Sequence, residues 1–294
     1  MKKAGINALA HYLRSGQNEG RQPKPKVRTI DPLVRADAQG PVAELLTMGT
    51  DYSATNQKIA VHFHAYHLDL VDEAVEYLAN IQQKYTLLVS AKAEDVDAVR
   101  KKLLNGLPHA SINVQSVTNR GRDVAPWVVY FRDEILQHDL FCHIHTKSTE
   151  HTEGHKNWRK HLLHETLASP TTVSRILTLL DDPEIGLVMP PYFNGVSSQP
   201  KWGANRDILF SLLDSMNYQG QRQYCENYPA GSFFWAKTTA LKPLFELNLK
   251  LQDFEPECGQ NDGTLAHAIE RVIGFLPSLV GLDMVCTAVE KPFN

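Results

Sequence analysis

Residues 58–91 read KIAVHFHAYHLDLVDEAVEYLANIQQKYTLLVSA, and the alternation within this stretch decides the fold. KIAVHFHAYH is rich in β-formers, LDLVDEAVEYLANIQQ carries apolar residues at helical spacing, and YTLLVSA is again a short apolar strand. The pattern continues downstream. AEDVDAVRKKLLNGL predicts a helix that stops near Gly106, INVQSV a strand, VAPWVVYFRDEIL a helix and LFCHIHTK a strand. Helices between successive strands return the chain to the same end of the sheet, so the strands run parallel. The fold class expected is α/β: a Rossmann-type, mostly parallel sheet flanked by helices, with ligands gathering at the C-terminal ends of the strands.

Before this stretch, MKKAGINALAHYLRSG predicts a short helix with Ile6, Leu9, Ala10 and Leu13 on one face, able to lie on a membrane surface or to dock on the protein. Gly16 to Arg35 is polar and proline-rich and reads as an extended connector. Residues 1–57 are therefore expected to be a helical and extended N-terminal extension, and residues 58–294 one α/β domain. No repeat is visible. No run is apolar enough to cross a bilayer, and the N-terminus lacks the apolar region of a secretory signal. The 294 residues, 43% of them hydrophobic, suffice for a real core. A net charge of −3 with both signs interspersed argues against a nucleic-acid partner. The four cysteines (Cys142, Cys225, Cys258, Cys286) lack C-x-x-C spacing and fit reduced thiols in a cytoplasmic protein.

The unusual residues fall at the predicted strand ends. The first strand ends in His62, His64 and His67, the third runs into Asn119, Arg120, Gly121, Arg122 and Asp123, and the fourth ends in His143, His145, Thr146 and Lys147. Singly, each has a plain alternative: His62 and His64 share a parity and can be half-buried strand residues, and Arg122 with Asp123 can be an ion pair capping the next helix. Together they point to a site.

A second informative segment is YPAGSFFWAKTTALKPLFELNLKLQDFEPECGQNDGTLAHAIERVIG, residues 228–274. It reads as a small-residue strand end (Ala230, Gly231, Ser232), an aromatic strand (Phe233 to Trp235) that belongs to the core, a helix, an acidic loop, and a second helix opening at Asp262. The loop brings Glu257 and Asp262 to a helix N-terminus, where N–H groups and the macrodipole favour negative charge. A held, ionised carboxylate can act as a general base; equally, Asp262 can be a simple N-cap. Trp202 and Asn205 follow the Pro190-Pro191 turn. An indole face packs on a sugar ring and an amide bonds its hydroxyls, although Trp202 can also just cover the end of the core.

The strings NRGRDVAPW, HIHTK, W-R-x-x-L-L (Trp158 to Leu163), W-G-x-N (Trp202 to Asn205), PAGSFFW and NDGTLAHAIER resemble, in order and over roughly Lys58 to Leu282, the rhamnan synthesis protein F family of bacterial surface-polysaccharide assembly. The resemblance implies a GT-A-like glycosyltransferase, with a nucleotide-sugar-binding half at 58–150 and an acceptor half at 151–294. It implies transfer of rhamnose or a related deoxysugar from a dTDP-rhamnose-like donor to a lipid-linked or oligosaccharide acceptor, with inversion, as in O-antigen or other lipopolysaccharide synthesis. Peripheral association with the inner face of the cytoplasmic membrane would fit such a role. Asp262, or failing it Glu257, stands where such enzymes carry the catalytic base. His64, Asn119, Arg120, Gly121, Arg122, Asp123, His145, Thr146 and Lys147 would face the donor diphosphate, and Trp202, Asn205 and Gly231 the acceptor.

One departure bears on cofactors. GT-A-type enzymes usually end the fourth strand in Asp-x-Asp, which holds a divalent metal; FCHIHTKS offers no carboxylate there. No cofactor is expected to be required and no metal ligand is assigned, although Mg or Mn stays open; basic side chains are expected to meet the diphosphate instead. Two other readings are a metal-dependent hydrolase using the H-x-H pairs His62/His64 and His143/His145, and a non-catalytic sugar-binding subunit of a polysaccharide machine.

Overall fold

In the computed structural model, which describes residues 56–146, 157–193, 202–220 and 227–287, the stretch that opens the domain forms the expected β-α-β unit. Strand β1 spans Ile59–Ala65, helix α1 Val71–Leu78 and strand β2 Tyr85–Ala91. Val71, Ala74 and Leu78 lie on the buried face of α1, at the spacing that made the helix legible. Every residue of β1 is buried, because helices cover both faces of the sheet; that is why its sequence runs apolar instead of alternating. Helix α2 (Val96–Gly106) and strand β3 (Ala110–Ser116) follow.

The helix expected over residues 124–136 is instead two pieces. A widened π turn at Pro126–Tyr130, closed by the Phe131 N–H on the Pro126 carbonyl at 3.2 Å, precedes a one-turn helix α3 at Arg132–Ile135. The extra residue in the turn lets Trp127 and Phe131, both fully buried, pack on the same layer. Trp127 lies against Phe141, His143, Phe234 and Phe245, and Phe131 against His62.

Strand β4 (Leu140–His145), helices α4 (Trp158–Leu167) and α5 (Pro170–Asp181), strand β5 (Ile185–Met189) and helix α6 (Arg206–Ser215) come next. The Ser169 hydroxyl caps α5 by accepting from the Thr172 N–H at 3.1 Å, with Pro170 in the first turn. Strand β6 (Phe234–Lys237), helices α7 (Thr238–Glu246), α8 (Leu265–Val272) and α9 (Leu276–Leu279), and strand β7 (Asp283–Cys286) complete the described chain.

The seven strands form one sheet in the order β3-β2-β1-β4-β6-β5-β7. All pairs are parallel except those of β6, which runs antiparallel to both β4 and β5. The α/β class and the mostly parallel sheet match the sequence expectation. Phe233, Phe234 and Trp235 are fully buried, as expected of core. Ala230 to Ser232, however, form a turn before β6, with Gly231 at φ 89° and Ser232 at φ 60°, and not a strand end. The expected N-terminal extension up to residue 55 lies outside the described residues, as does Lys147. Among the described residues no helix is long and apolar enough to cross a membrane.

Candidate functional site

Strand parity and register assemble the first part of the site. His62 and His64 project from one face of β1; in register beside them stand His143 and His145 of β4, and Ser90 of β2 pairs with His64. None of the four imidazoles is more than 9% exposed. Buried imidazole nitrogens call for partners, and these find them in one another, in Ser90, in Asp123 and in a backbone carbonyl. His143 Nε2 lies 3.2 Å from Asp123 Oδ2, His62 Nδ1 3.0 Å from His143 Nδ1, and His62 Nε2 3.0 Å from Ser90 Oγ, which is 2.7 Å from His64 Nδ1. His145 Nε2 donates to the Gly231 carbonyl at 2.9 Å. Burial pushes His64 down to about 3, and burial together with His143 holds His62 well below the usual imidazole range. For Asp123 burial acts upward, but His145, the bond from His143 and the nearby His64 outweigh it and keep the carboxyl well below the usual carboxylate range.

The H-x-H pairs thus do not present nitrogens to a common point, as the hydrolase reading requires. Among the described residues no group of three or more His, Cys, Asp or Glu side chains is placed to hold a metal ion, so these residues do not by themselves fit the divalent cation that GT-A-type enzymes usually hold. Thr146 ties β4 to β1: its hydroxyl donates to the His64 carbonyl at 3.2 Å and accepts from the His67 N–H at 2.9 Å.

The second part is a clamp between the loop after β3 and the acidic loop. Gly121 at φ 71° turns the chain so tightly that a Cβ there would stand 2.5 Å from Ala125 Cβ and 2.6 Å from Phe254 Cδ1. Arg122 follows in the same left-handed region at φ 56°. The Arg120 guanidinium donates to the carbonyls of Phe254 at 2.6 Å and Gln252 at 3.2 Å. Arg122 gives its backbone N–H to Glu257 Oε1 at 3.1 Å, one guanidinium N–H to the Gln260 carbonyl at 2.9 Å and another to His267 Nε2 at 2.8 Å. An arginine only donates, so His267 accepts at Nε2, carries its proton on Nδ1 and gives it to the Thr264 hydroxyl at 2.7 Å. Burial and the Arg122 charge hold His267 down to about 4. Asn119 stays exposed, its amide 3.4 Å from the Tyr66 hydroxyl.

Asp262 does not open α8. Gly263 at φ 77° turns the chain first, the N-cap is Thr264, and the free Leu265 N–H is taken by Glu255 Oε2 at 2.9 Å. Asp262 instead faces back towards residues 202–205. Its Oδ2 accepts from the Ala204 N–H at 2.8 Å, its Oδ1 accepts from the Asn205 amide, and Arg271 Nη2 stands 3.4 Å from Oδ1. Burial acts upward on this carboxyl, but the Ala204 and Asn205 hydrogen bonds and Arg271 win and hold it below its ordinary value. Asp262 is therefore ionised and fixed in direction, and its Oδ2 keeps a second lone pair. His267 stands between the two loops, within electrostatic reach of both Asp262 and Asp123.

Two expected acceptor contacts are corrected. Asn205 is fully buried: its amide donates to the Trp202 carbonyl at 2.9 Å and to Asp262, and its oxygen accepts from the Gly263 N–H at 3.0 Å. With no surface to offer a ligand, it fixes Asp262. Gly231 is a packing glycine, since a Cβ there would stand 2.7 Å from Leu162 Cδ1 and 3.1 Å from the Trp158 ring. Trp202 stacks on Phe275 with ring centroids 6.3 Å apart and meets Phe210 edge-on at 5.3 Å. Sequence reading missed Ser90, Glu255, His267 and Arg271. The T-x-x-H and H-x-x-x-R spacings within NDGTLAHAIER were a signal for the last two, since residues three and four apart share a helix face.

The chain is 31% identical over 222 residues to the uncharacterized protein WxcX of Xanthomonas campestris pv. campestris strain B100, and equally so to the same protein of a second strain. The match covers 73% of this chain but only 30% of that protein's length. Among solved structures, a mannosyltransferase of Pyrobaculum calidifontis, in complex with GDP-Man and Mn2+, superimposes with a TM-score of 0.47 at 12% identity, over 96% of this chain and 62% of its own. The family model for rhamnan synthesis protein F matches residues 41–280, beginning before the first described strand and ending between α9 and β7. The chain belongs to the rhamnan synthesis protein F family.

Proposed function

We propose that the chain is a glycosyltransferase of bacterial cell-surface polysaccharide synthesis, moving rhamnose or a related deoxysugar from a nucleotide diphosphate to a glycan acceptor by a single inverting displacement. Family membership supports the pathway, and one observation carries the chemistry. At the C-terminal edge of the parallel strands, an ionised, oriented carboxylate, Asp262, lies within electrostatic reach of His267, whose ring accepts a hydrogen bond from the Arg122 guanidinium. Displacement at an anomeric carbon needs both: a base for the attacking hydroxyl and aimed positive charge for the departing diphosphate.

In this reading the halves 58–150 and 151–294 carry donor and acceptor, in a GT-A-like arrangement. Asp262 uses the free lone pair of Oδ2 as general base, with Glu257 the alternative on the same loop. Arg122, His64 and Lys147 meet the diphosphate, whereas His145, its ring nitrogens facing the Gly231 and Thr146 carbonyls, holds the turn before β6. The donor is a dTDP-rhamnose-like nucleotide sugar and the acceptor a lipid-linked or oligosaccharide glycan. Inversion follows if the donor is β-linked and the product α-linked.

A screen of nucleotide sugars, read first by calorimetry and then by transfer to rhamnan oligosaccharides, tests this. Binding of one nucleotide sugar followed by release of its diphosphate is expected. Binding with no transfer to any acceptor favours the non-catalytic sugar-binding subunit, and absence of nucleotide-sugar binding sinks the proposal.

A further inference from the structure

Five side chains form one line of hydrogen bonds through the sheet: Asp123, His143, His62, Ser90 and His64, with steps of 3.2, 3.0, 3.0 and 2.7 Å. The three inner members are fully buried, while the ends are not: the Asp123 side chain is 15% exposed and His64 8%. A network serving only to satisfy buried groups ends on protein partners. This one ends at His64 Nε2, which has no hydrogen-bond partner among the described residues and is not one of the buried atoms left unpaired.

The proton positions follow from what each atom can do. An ionised Asp123 only accepts, so His143 gives it Nε2–H. With His143 neutral, its Nδ1 accepts from His62 Nδ1–H, His62 Nε2 accepts from the Ser90 hydroxyl, and Ser90 accepts from His64 Nδ1–H. His64 Nε2 is then a bare lone pair. One added proton reverses every step beyond Asp123. His143 becomes imidazolium beside the carboxylate and donates to His62, His62 donates to Ser90, Ser90 donates to His64 Nδ1, and His64 carries its proton on Nε2. A single proton at the buried end thus decides whether the open end accepts or donates.

We propose that this line is a proton relay whose open end, His64 Nε2–H, donates to a phosphate oxygen of the departing nucleoside diphosphate and protonates it at transfer. The proposal rests on the glycosyltransferase reading and adds the acid that complements the base on the acidic loop. As the bond between the anomeric carbon and the diphosphate oxygen breaks, its electron pair stays on that oxygen and a phosphate oxygen takes the proton from His64 Nε2. His64 Nδ1 takes the Ser90 proton, Ser90 that of His62 Nε2, and His62 that of His143 Nδ1. His143 is left neutral on Asp123, and a solvent proton resets the line. His64 is the residue that touches the diphosphate; Ser90, His62, His143 and Asp123 position its proton. The titratable groups facing His64 are Asp123 from the loop after β3, His143 and His145 of β4, and His67 beyond β1; Asp123 also faces His267 of α8. Burial disfavours an imidazolium at His64 itself, and the ring that touches the Asp123 carboxylate is His143 at the other end of the line.

The test is calorimetric titration of dTDP, UDP, GDP and the matching nucleosides into the full chain between pH 5.5 and 8.5, in two buffers of different ionisation enthalpy. The diphosphate that binds is expected to take up about one proton above the relay's midpoint and to weaken about tenfold per pH unit there, while its nucleoside takes up none. Ser90→Ala cuts the line and leaves every histidine in place. It should abolish the uptake and weaken the diphosphate roughly tenfold with nucleoside binding unchanged, and Ser90→Thr should restore both. Uptake that persists in Ser90→Ala, or is missing from the wild type, overturns the relay and leaves the functional reading standing. If no nucleoside diphosphate binds at all, both fall. Nitrogen-15 shifts of the wild-type histidines give a ligand-free check: as pH falls His64 should exchange its Nδ1 proton for an Nε2 proton, and a His64 that keeps its Nδ1 proton throughout refutes the relay.

Discussion

Replacing Asp262 by Asn changes one carboxylate oxygen into an NH2 group at constant size. In the structure the two oxygens receive the Ala204 N–H and the Asn205 amide and face Arg271. An amide offers one oxygen, so whichever way it turns, at least one of the three donors meets another donor. Loss of a charge-assisted hydrogen bond costs about 1.5–3 kcal/mol. The Asp262 side chain is 35% exposed, so water recovers part of this, and about 1–2 kcal/mol is expected. Because the folded carboxyl is held below its ordinary value, this stability is present above the unfolded pKa of about 3.9 and is lost as pH falls through the lowered folded value. Urea unfolding of both proteins should therefore show the full gap at pH 7 and little of it at the acid limit. For a general base, transfer should drop roughly 10²–10⁴-fold with donor affinity unchanged. Wild-type turnover by Asp262→Asn refutes the base assignment, and Glu257→Gln then asks whether the role belongs to its neighbour. A gap that does not depend on pH refutes the hydrogen-bonding account.

Three further outcomes follow from the geometry. Asn205→Leu strands the Gly263 N–H and removes a donor to Asp262 at a fully buried position, so a loss of about 2–4 kcal/mol is expected in urea unfolding, and a loss under 1 kcal/mol would mean the loop re-pairs elsewhere. Gly121→Ala combines a left-handed backbone with overlap on Ala125 and Phe254 and should cost about 2–4 kcal/mol, against about 1 kcal/mol for Gly259→Ala at φ 75°, where a Cβ meets nothing within 4 Å; equal losses would show that backbone strain alone governs both. His267 is held at about 4 against its ordinary 6.5, so below pH 6.5 the unfolded chain binds a proton that the native state refuses. Stability should accordingly fall by up to about 1.4 kcal/mol per pH unit between 6.5 and 4 from this residue, and His267→Gln, which can still accept from Arg122, should flatten the slope; an unchanged slope in chemical-denaturation profiles would contradict the neutral, accepting imidazole.

The fold was legible where burial on both faces writes continuous apolar runs. YTLLVSA is strand β2 to the residue, and Gly106 ends α2 as read. The π turn was not legible, because Pro126 is compatible with an ordinary helix start and the widening is set by how Trp127 and Phe131 pack on β4 and β6. The direction of β6 was hidden for a similar reason: a short buried strand has the same composition either way round, and the path of the incoming chain decides its direction. At the acidic loop, both Asp262 and Thr264 are good caps by type. The left-handed Gly263 between them hands the helix start to Thr264 and frees Asp262 for the Asn205 loop.

The histidines show how one pattern supports two chemistries. Parity alone places His62 with His64, and His143 with His145, on a single face, and that much is written in H-x-H. A metal site requires in addition that the nitrogens converge. Register decides otherwise: it sets His62 beside His143 with rings stacked at 5.0 Å and brings Ser90 alongside His64, so His62 bonds His143 directly and shares Ser90 with His64. Cross-strand register depends on where each strand enters the sheet, which no local window records, so Ser90 was invisible until β2 and β1 were paired. In a dry layer that pairing has an electrostatic consequence. Burial holds His62 and His64 neutral, and the fixed charge at the far end of the line is the Asp123 carboxylate. His143 is the one ring on the line bonded to that carboxylate, so the line is polar at one end and open at the other.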